Sequence, residues 1–177
     1  MSAQLNVSLA LALFVALGQL EAQQNAPPES GKGRCNGTIY GMIVQALGEN
    51  RLSNMPVYVF TLRQSRRLRE MDESAYNRAH AKGLAPGVES RIEDQNTDAL
   101  VDLIPKLPRS ALGKSDGRGA FSIPNLPCGQ PYYLVSFGIH ESGVFLAVKV
   151  TPVLKNGESI KVELRDDVPW SERFKAD

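Results

Sequence analysis

The sequence predicts an all-β fold: a seven-stranded antiparallel Greek-key β-sandwich with a partly helical insert after the second strand. Three observations predict it. Seven short runs carry the alternation, or the β-branched and aromatic content, of strands. Turn formers are frequent, with 15 Gly and 11 Pro in 177 residues. One long polar break, residues 63–109, carries helical spacing instead.

The first strand is Thr38–Gln45, in which Ile39, Gly41 and Ile43 share one face and Tyr40, Met42 and Val44 the other. Gly48, Glu49 and Asn50 form the turn after it. Pro56–Leu62 is the second strand, with Pro56 at its start, where a missing N–H costs least. Ala111–Ser115 and Ala120–Ile123 flank a tight turn at Asp116–Gly119, and the turn-rich Pro124–Gln130 follows. Pro131–Ile139, Gly143–Val153 and Ser159–Leu164 complete the set. Asn156-Gly157 between the last two reads as a hairpin turn, since both residues tolerate positive φ.

Within the insert, Leu68, Met71, Ala75 and Ala79 recur at three- and four-residue steps, predicting an amphipathic helix over about 65–81 that ends at Gly83 and Pro86. Asn96 or Thr97 is the candidate cap of a second, short helix carrying Leu100, Val101 and Ile104 and halted at Pro105. A connection this long packs on the sandwich or acts as a mobile flap.

The apolar share is 42% and the charged share 22%, which excludes wholesale disorder. A net charge of +1 gives no electrostatic ground for a nucleic-acid partner. Residues Val7–Leu17 are apolar apart from one Ser, a run far short of the ~20 residues that a membrane span needs. With Ala22 closing the segment, residues 1–22 read as a secretory signal peptide, and 23–34, with Pro27, Pro28, Gly31 and Gly33, as a flexible leader. A buried helix of the domain is the alternative, because the start of the chain has no Lys or Arg. The reading places the mature chain in a secreted or periplasmic, cell-envelope location with no transmembrane anchor. The domain then runs from 35 to 165, with a polar tail at 166–177. In an oxidising compartment two cysteines suggest one bridge, Cys35 to Cys128; two free thiols are the alternative.

The stretch Ser115–Leu134, with its Asp116-Gly117 turn, the Phe121-Ser122-Ile123 strand, Asn125-Leu126-Pro127, Gly129 and Tyr132-Tyr133-Leu134, resembles the carboxypeptidase regulatory-like domain, a transthyretin-like (prealbumin-like) β-sandwich. Gly37-Thr38-Ile39-Tyr40-Gly41-Met42-Ile43 is similar to that family's opening strand, and Gly48, Leu52, Val57 and Val59 fall at its turn and second strand. The resemblance covers about 37–62 and 113–165. It implies a domain that accompanies peptidases or sits in surface proteins and is itself non-enzymatic. The insert is longer than the family usually shows, and Cys128 stands where a second Pro is common, so a bridge to Cys35 would sit at one end of the sandwich. Related surface adhesins form a Lys–Asn isopeptide crosslink, for which the first strand here supplies no Lys.

No motif points to catalysis. His80 and His140 stand apart, outside any H-E-x-x-H pattern and unlike the Tyr/His iron set of sandwich-type dioxygenases. There is no G-x-S-x-G elbow, and the chain does not end in the Tyr-Arg-Gly-Ser of transthyretin-like hydrolases. No cofactor or metal is expected. The candidate binding residues are Arg63, Arg66 and Arg67, a basic run that is either a docking face or a solvated helix face offset by Glu70, Asp72 and Glu73. Tyr132 and Tyr133 are adjacent, so one is expected in the core and the other at the surface. Trp170 is either an exposed platform for a sugar or partner, or a residue packed back onto the sandwich. Asn36-Gly37-Thr38 is a glycosylation sequon. The functional reading is an exported non-enzymatic module for protein binding or envelope or extracellular assembly. The alternative is a carbohydrate-binding module of the starch-binding-like type. A third reading is an enzyme with its site under the 63–109 insert.

Overall fold

The computed structural model describes residues 35–140 and 143–175. The expected signal peptide at 1–22 and the expected leader at 23–34 lie outside the described residues. Two four-stranded sheets pack as a β-sandwich, and two helices cover the outer face of one of them.

In the first sheet β1 (Asn36–Gln45) is central. On one side it pairs antiparallel with β5 (Ala120–Pro127) and, beyond it, with the two-residue β2 (Asn50–Arg51). On the other side it pairs in parallel with β8 (Ser159–Arg165), Gly41 opposite Val162. The second sheet has the order β4 (Ala111–Lys114), β3 (Pro56–Thr61), β6 (Tyr132–His140) and β7 (Gly143–Val150), all antiparallel.

The described residues therefore form eight strands, not seven, and the sandwich is not wholly antiparallel. The Asn156-Gly157 turn explains the second difference. It does not close a hairpin between β7 and β8. Leu154 drops into the core, the Gly157 N–H donates to the Asn36 carbonyl at 2.8 Å and the Thr38 N–H to the Glu158 carbonyl at 2.9 Å. These bonds carry the chain across from the second sheet to the first, so β8 starts beside the start of β1 and runs in its direction. A further difference concerns Pro124–Pro127, expected as a turn. It continues β5 across a bulge, where Asn125 takes a positive φ of 61° and the register shifts between Gly37 and Ile39, as far as Asn36 opposite Pro127, which an edge strand tolerates.

The core between the sheets is built from alternate residues, among them Ile39, Ile43, Val57, Val59, Phe121, Ile123, Tyr132, Leu134, Val162 and Leu164. The other face of the second sheet is also buried. Tyr58, Phe60, Tyr133, Val135, Leu146 and Val148 pack under Leu68, Leu100 and Ile104 of the insert. Burial on both faces is why β3 reads as an unbroken apolar run, Val57 to Phe60, instead of an alternating one. Each large side chain so removed from water contributes about 1.5–3 kcal/mol.

The insert holds α1 (Arg66–Ala79) and α2 (Val88–Leu103), the latter continued by a 3-10 turn at Ile104–Lys106. Its first turn is closed by a reciprocal pair: the Thr61 N–H donates to Gln64 Oε1 at 2.9 Å and the Gln64 N–H to Thr61 Oγ1 at 3.3 Å. The first helix falls close to the expected span. The second starts at Val88 after Gly87, eight residues earlier than the expected cap at Asn96, which lies buried within the helix. The reason is that Gly87 begins the helix with a positive φ of 79° and no side-chain cap, so the usual sequence signal is absent. Among the described residues, no helix is long and apolar enough to cross a membrane.

Candidate functional site

The two cysteines are bridged, with Cα atoms 5.4 Å apart and a sequence separation of 93. The bridge joins the residue before β1 to the residue after β5, and the Cys128 N–H donates to the Cys35 carbonyl at 3.1 Å, extending the β1–β5 ladder. It lies at one end of the sandwich, within one sheet. Tyr132 stands close by in the chain as a core peg. Its hydroxyl donates to the Pro127 carbonyl and accepts from Gln130 Nε2 at 3.1 Å, and burial pushes its phenol pKa up. Tyr133, on the opposite face of β6, is 2% exposed, so neither tyrosine is the surface residue expected of the pair. The helices of the insert took the solvent's place.

Trp170 is buried against α1, at the start of a 3-10 turn (Trp170–Glu172), beside Ala75 and Ala79 and edge-on to Tyr76 at 5.6 Å. Its indole N–H donates to Asp72 Oδ1 at 3.0 Å. It is not an exposed stacking platform: its ring is covered and its one donor is committed. Asp72 also accepts from Asn96 Nδ2 at 2.7 Å and from Arg173 Nη1 at 3.4 Å, and Arg173 Nη2 reaches Glu93 at 3.1 Å. One buried carboxylate thus ties α1, α2 and the C-terminal segment together. Burial raises the Asp72 pKa, against the opposing pull of Arg173 and of the Trp170 and Asn96 hydrogen bonds.

A pKa higher in the folded than in the unfolded chain means stability that is fully present below the unfolded value and is lost as pH rises through the folded value. Asp72→Asn keeps an acceptor for Trp170 and removes this loss. The difference in melting temperature, variant minus wild type, is expected to move in the variant's favour between about pH 3 and about pH 7. Thermal unfolding across that range checks this, and a difference moving the other way contradicts it.

Beside this network the described residues form an open cleft of about 580 Å³ between α1, β6 and the C-terminal segment. Tyr133 lies at its base, Tyr76, Trp170 and Phe174 give it aromatic walls, and Arg69 and Lys175 give it positive charge. The Arg69 guanidinium lies over the Tyr133 ring at 5.6 Å and its Nη2 donates to the Leu62 carbonyl at 3.2 Å. Its Nε is buried without a hydrogen-bond partner. The Tyr133 hydroxyl likewise has no hydrogen bond within the described residues.

Arg63, Arg66 and Arg67 are exposed at the start of α1. Arg66 meets Glu70 at 3.7 Å, an exposed pair worth little. Among the described residues, neither Arg63 nor Arg67 has an ion pair or a side-chain hydrogen bond. Sequence reasoning missed Arg109. The Ser110 hydroxyl donates to Gln64 Oε1 at 2.8 Å, so the two ends of the insert meet and Arg109 joins the basic run. Its guanidinium lies over Tyr58 at 5.4 Å. Nothing in linear spacing links residues 46 positions apart. His80 stacks on Tyr76 at 4.0 Å and its Nε2 lies 3.3 Å from Glu89. Among the described residues, no three His, Cys, Asp or Glu side chains are grouped to hold a metal ion.

No protein-family model matches the sequence. A search among curated proteins finds no match. Among solved structures, BcpA, the major pilin subunit of Bacillus cereus, is similar at 12% identity over 75% of this chain and 30% of its own, with a TM-score of 0.32. The shaft pilin SpaA from Lactobacillus rhamnosus GG is similar at 12% identity over 73% of this chain and 48% of its own, with a TM-score of 0.34. A 9R-lipoxygenase from Cyanothece PCC8801 is similar at 11% identity over 89% of this chain and 22% of its own, with a TM-score of 0.29. The chain spans less than half the length of each, and likenesses this slight assign neither fold nor function.

Proposed function

We propose that the chain is an exported, non-enzymatic β-sandwich module of the carboxypeptidase regulatory-like, transthyretin-like kind, which binds a protein partner in a secreted or envelope assembly. The observation that carries this reading is the Cys35–Cys128 bridge, since such bridges persist in oxidising compartments. It agrees with a signal peptide over 1–22 and a leader over 23–34 preceding a domain over 35–165. The Asp116-Gly117 turn and the Asn125-Leu126-Pro127 run, where the sequence resembles that family, fall at the two ends of β5. With Trp170 and both tyrosines buried, none of the three offers an exposed ring face for a sugar to stack on.

The docking face in this reading is the arginine group at the base of the insert. Three exposed arginines at the positive end of α1 run against the helix dipole, a local cost that an acidic partner would reverse. Crosslinking in the native compartment should capture a specific partner. The Arg63→Glu/Arg67→Glu variant is expected to reduce that capture by roughly tenfold or more, and raised salt should weaken it too. Failure to capture any specific partner, or capture indifferent to the variant, contradicts the reading.

A further inference from the structure

We propose that the cleft between α1 and the C-terminal segment is a binding site for a small aromatic carboxylate. Four features converge on it. Its volume, about 580 Å³, falls within the range of small-molecule sites. Its lining includes Arg69, whose Nε–H is buried without a partner, and Tyr133, whose hydroxyl makes no hydrogen bond among the described residues. A carboxylate in the cleft would give the Arg69 guanidinium and the Tyr133 hydroxyl a charged acceptor that the fold does not supply. The partly exposed rings of Tyr76 and Phe174, with the small part of Trp170 that stays uncovered, give it apolar surface suited to a planar body.

Charge decides the head group. Lys175 adds a second cation to the lining. Of the two acids there, Asp72 is already engaged by Trp170, Asn96 and Arg173, and Glu73 is exposed to water. One guanidinium with a neighbouring hydroxyl suits a planar monoanion, which takes a forked pair of bonds from arginine. A doubly charged phosphate would ask for more cations than stand around Arg69. The site uses none of Arg63, Arg66 or Arg67, so it stands or falls separately from the docking face.

Trp170 is the one tryptophan of the chain, so its fluorescence reports on the cleft directly. The full chain is titrated with phenylacetate, 2-phenylethanol and phenethylamine, which share a ring and differ in head group. Phenylacetate is expected to give a saturable change in Trp170 emission, with the alcohol and the amine roughly tenfold weaker or more. Arg69→Met should weaken phenylacetate roughly tenfold and Tyr133→Phe by a smaller factor of about threefold, while Lys161→Met, at an exposed position of β8, leaves it unchanged. If Arg69→Met does not fold, Tyr133→Phe, which removes only the hydroxyl, carries the test. No saturable response to phenylacetate, equal binding of the alcohol, or binding indifferent to Tyr133→Phe overturns the proposal.

Discussion

Gly41→Ala is expected to destabilise the protein by at least about 3 kcal/mol, lowering the melting temperature by roughly 6–12 °C. Gly41 sits mid-way along β1, between β5 and β8. Its backbone is not the difficulty, for it has no positive φ. The difficulty is space. A Cβ at this position would lie 1.8 Å from the Val162 carbonyl oxygen and 2.8 Å from its carbon. Those are backbone atoms of the parallel partner strand, so no side chain can swing aside. Admitting the methyl group requires β1 and β8 to separate, breaking the ladder that runs from Thr38–Ser159 to Val44–Arg165. Gly117→Ala, where the added Cβ meets nothing and φ is not positive, is the matched control and should melt near wild type. Equal melting temperatures for the two variants would contradict the parallel pairing.

Removing the disulfide, by Cys35→Ser/Cys128→Ser or by reduction, is expected to cost about 4–5 kcal/mol on the chain-entropy estimate for a loop this long. The separation of 93 residues makes the unfolded chain much less confined once the bridge is gone. The native geometry needs no rearrangement to hold the bond, since Cα atoms 5.4 Å apart lie in the normal range. Denaturant unfolding with and without reductant measures the loss, and coincident curves would contradict it.

Most strands were legible in the sequence because their apolar content is physically demanding. Val57 to Phe60, Tyr132 to Val135 and Phe145 to Val148 have no stable place outside a buried sheet. The same runs concealed that the outer face is covered, because an unbroken apolar strand does not say what lies on each side. That is why one of Tyr132 and Tyr133 is expected at the surface, while both are buried. The parallel strand β8 was hidden because the Asn156-Gly157 signal describes a turn, while the destination of the chain is set by Leu154 finding the core. The start of α2 was hidden because Gly87 replaces a capping side chain. Of the candidate sites, the cysteine pair followed from count and compartment alone. The cleft did not, since Arg69, Tyr133 and Trp170 lie far apart in the chain and form no motif. The basic run was visible except for Arg109, which the Gln64–Ser110 bond brings to it.

Peptide mass mapping of the protein taken from its native source distinguishes an exported sandwich closed by one bridge from a chain kept reduced and unprocessed. Free thiols are alkylated first and no reductant is added. The expected result is a chain beginning at Gln23 and a linked peptide pair containing Cys35 and Cys128. A chain still carrying its residues from Met1, with both cysteines alkylated, would contradict it.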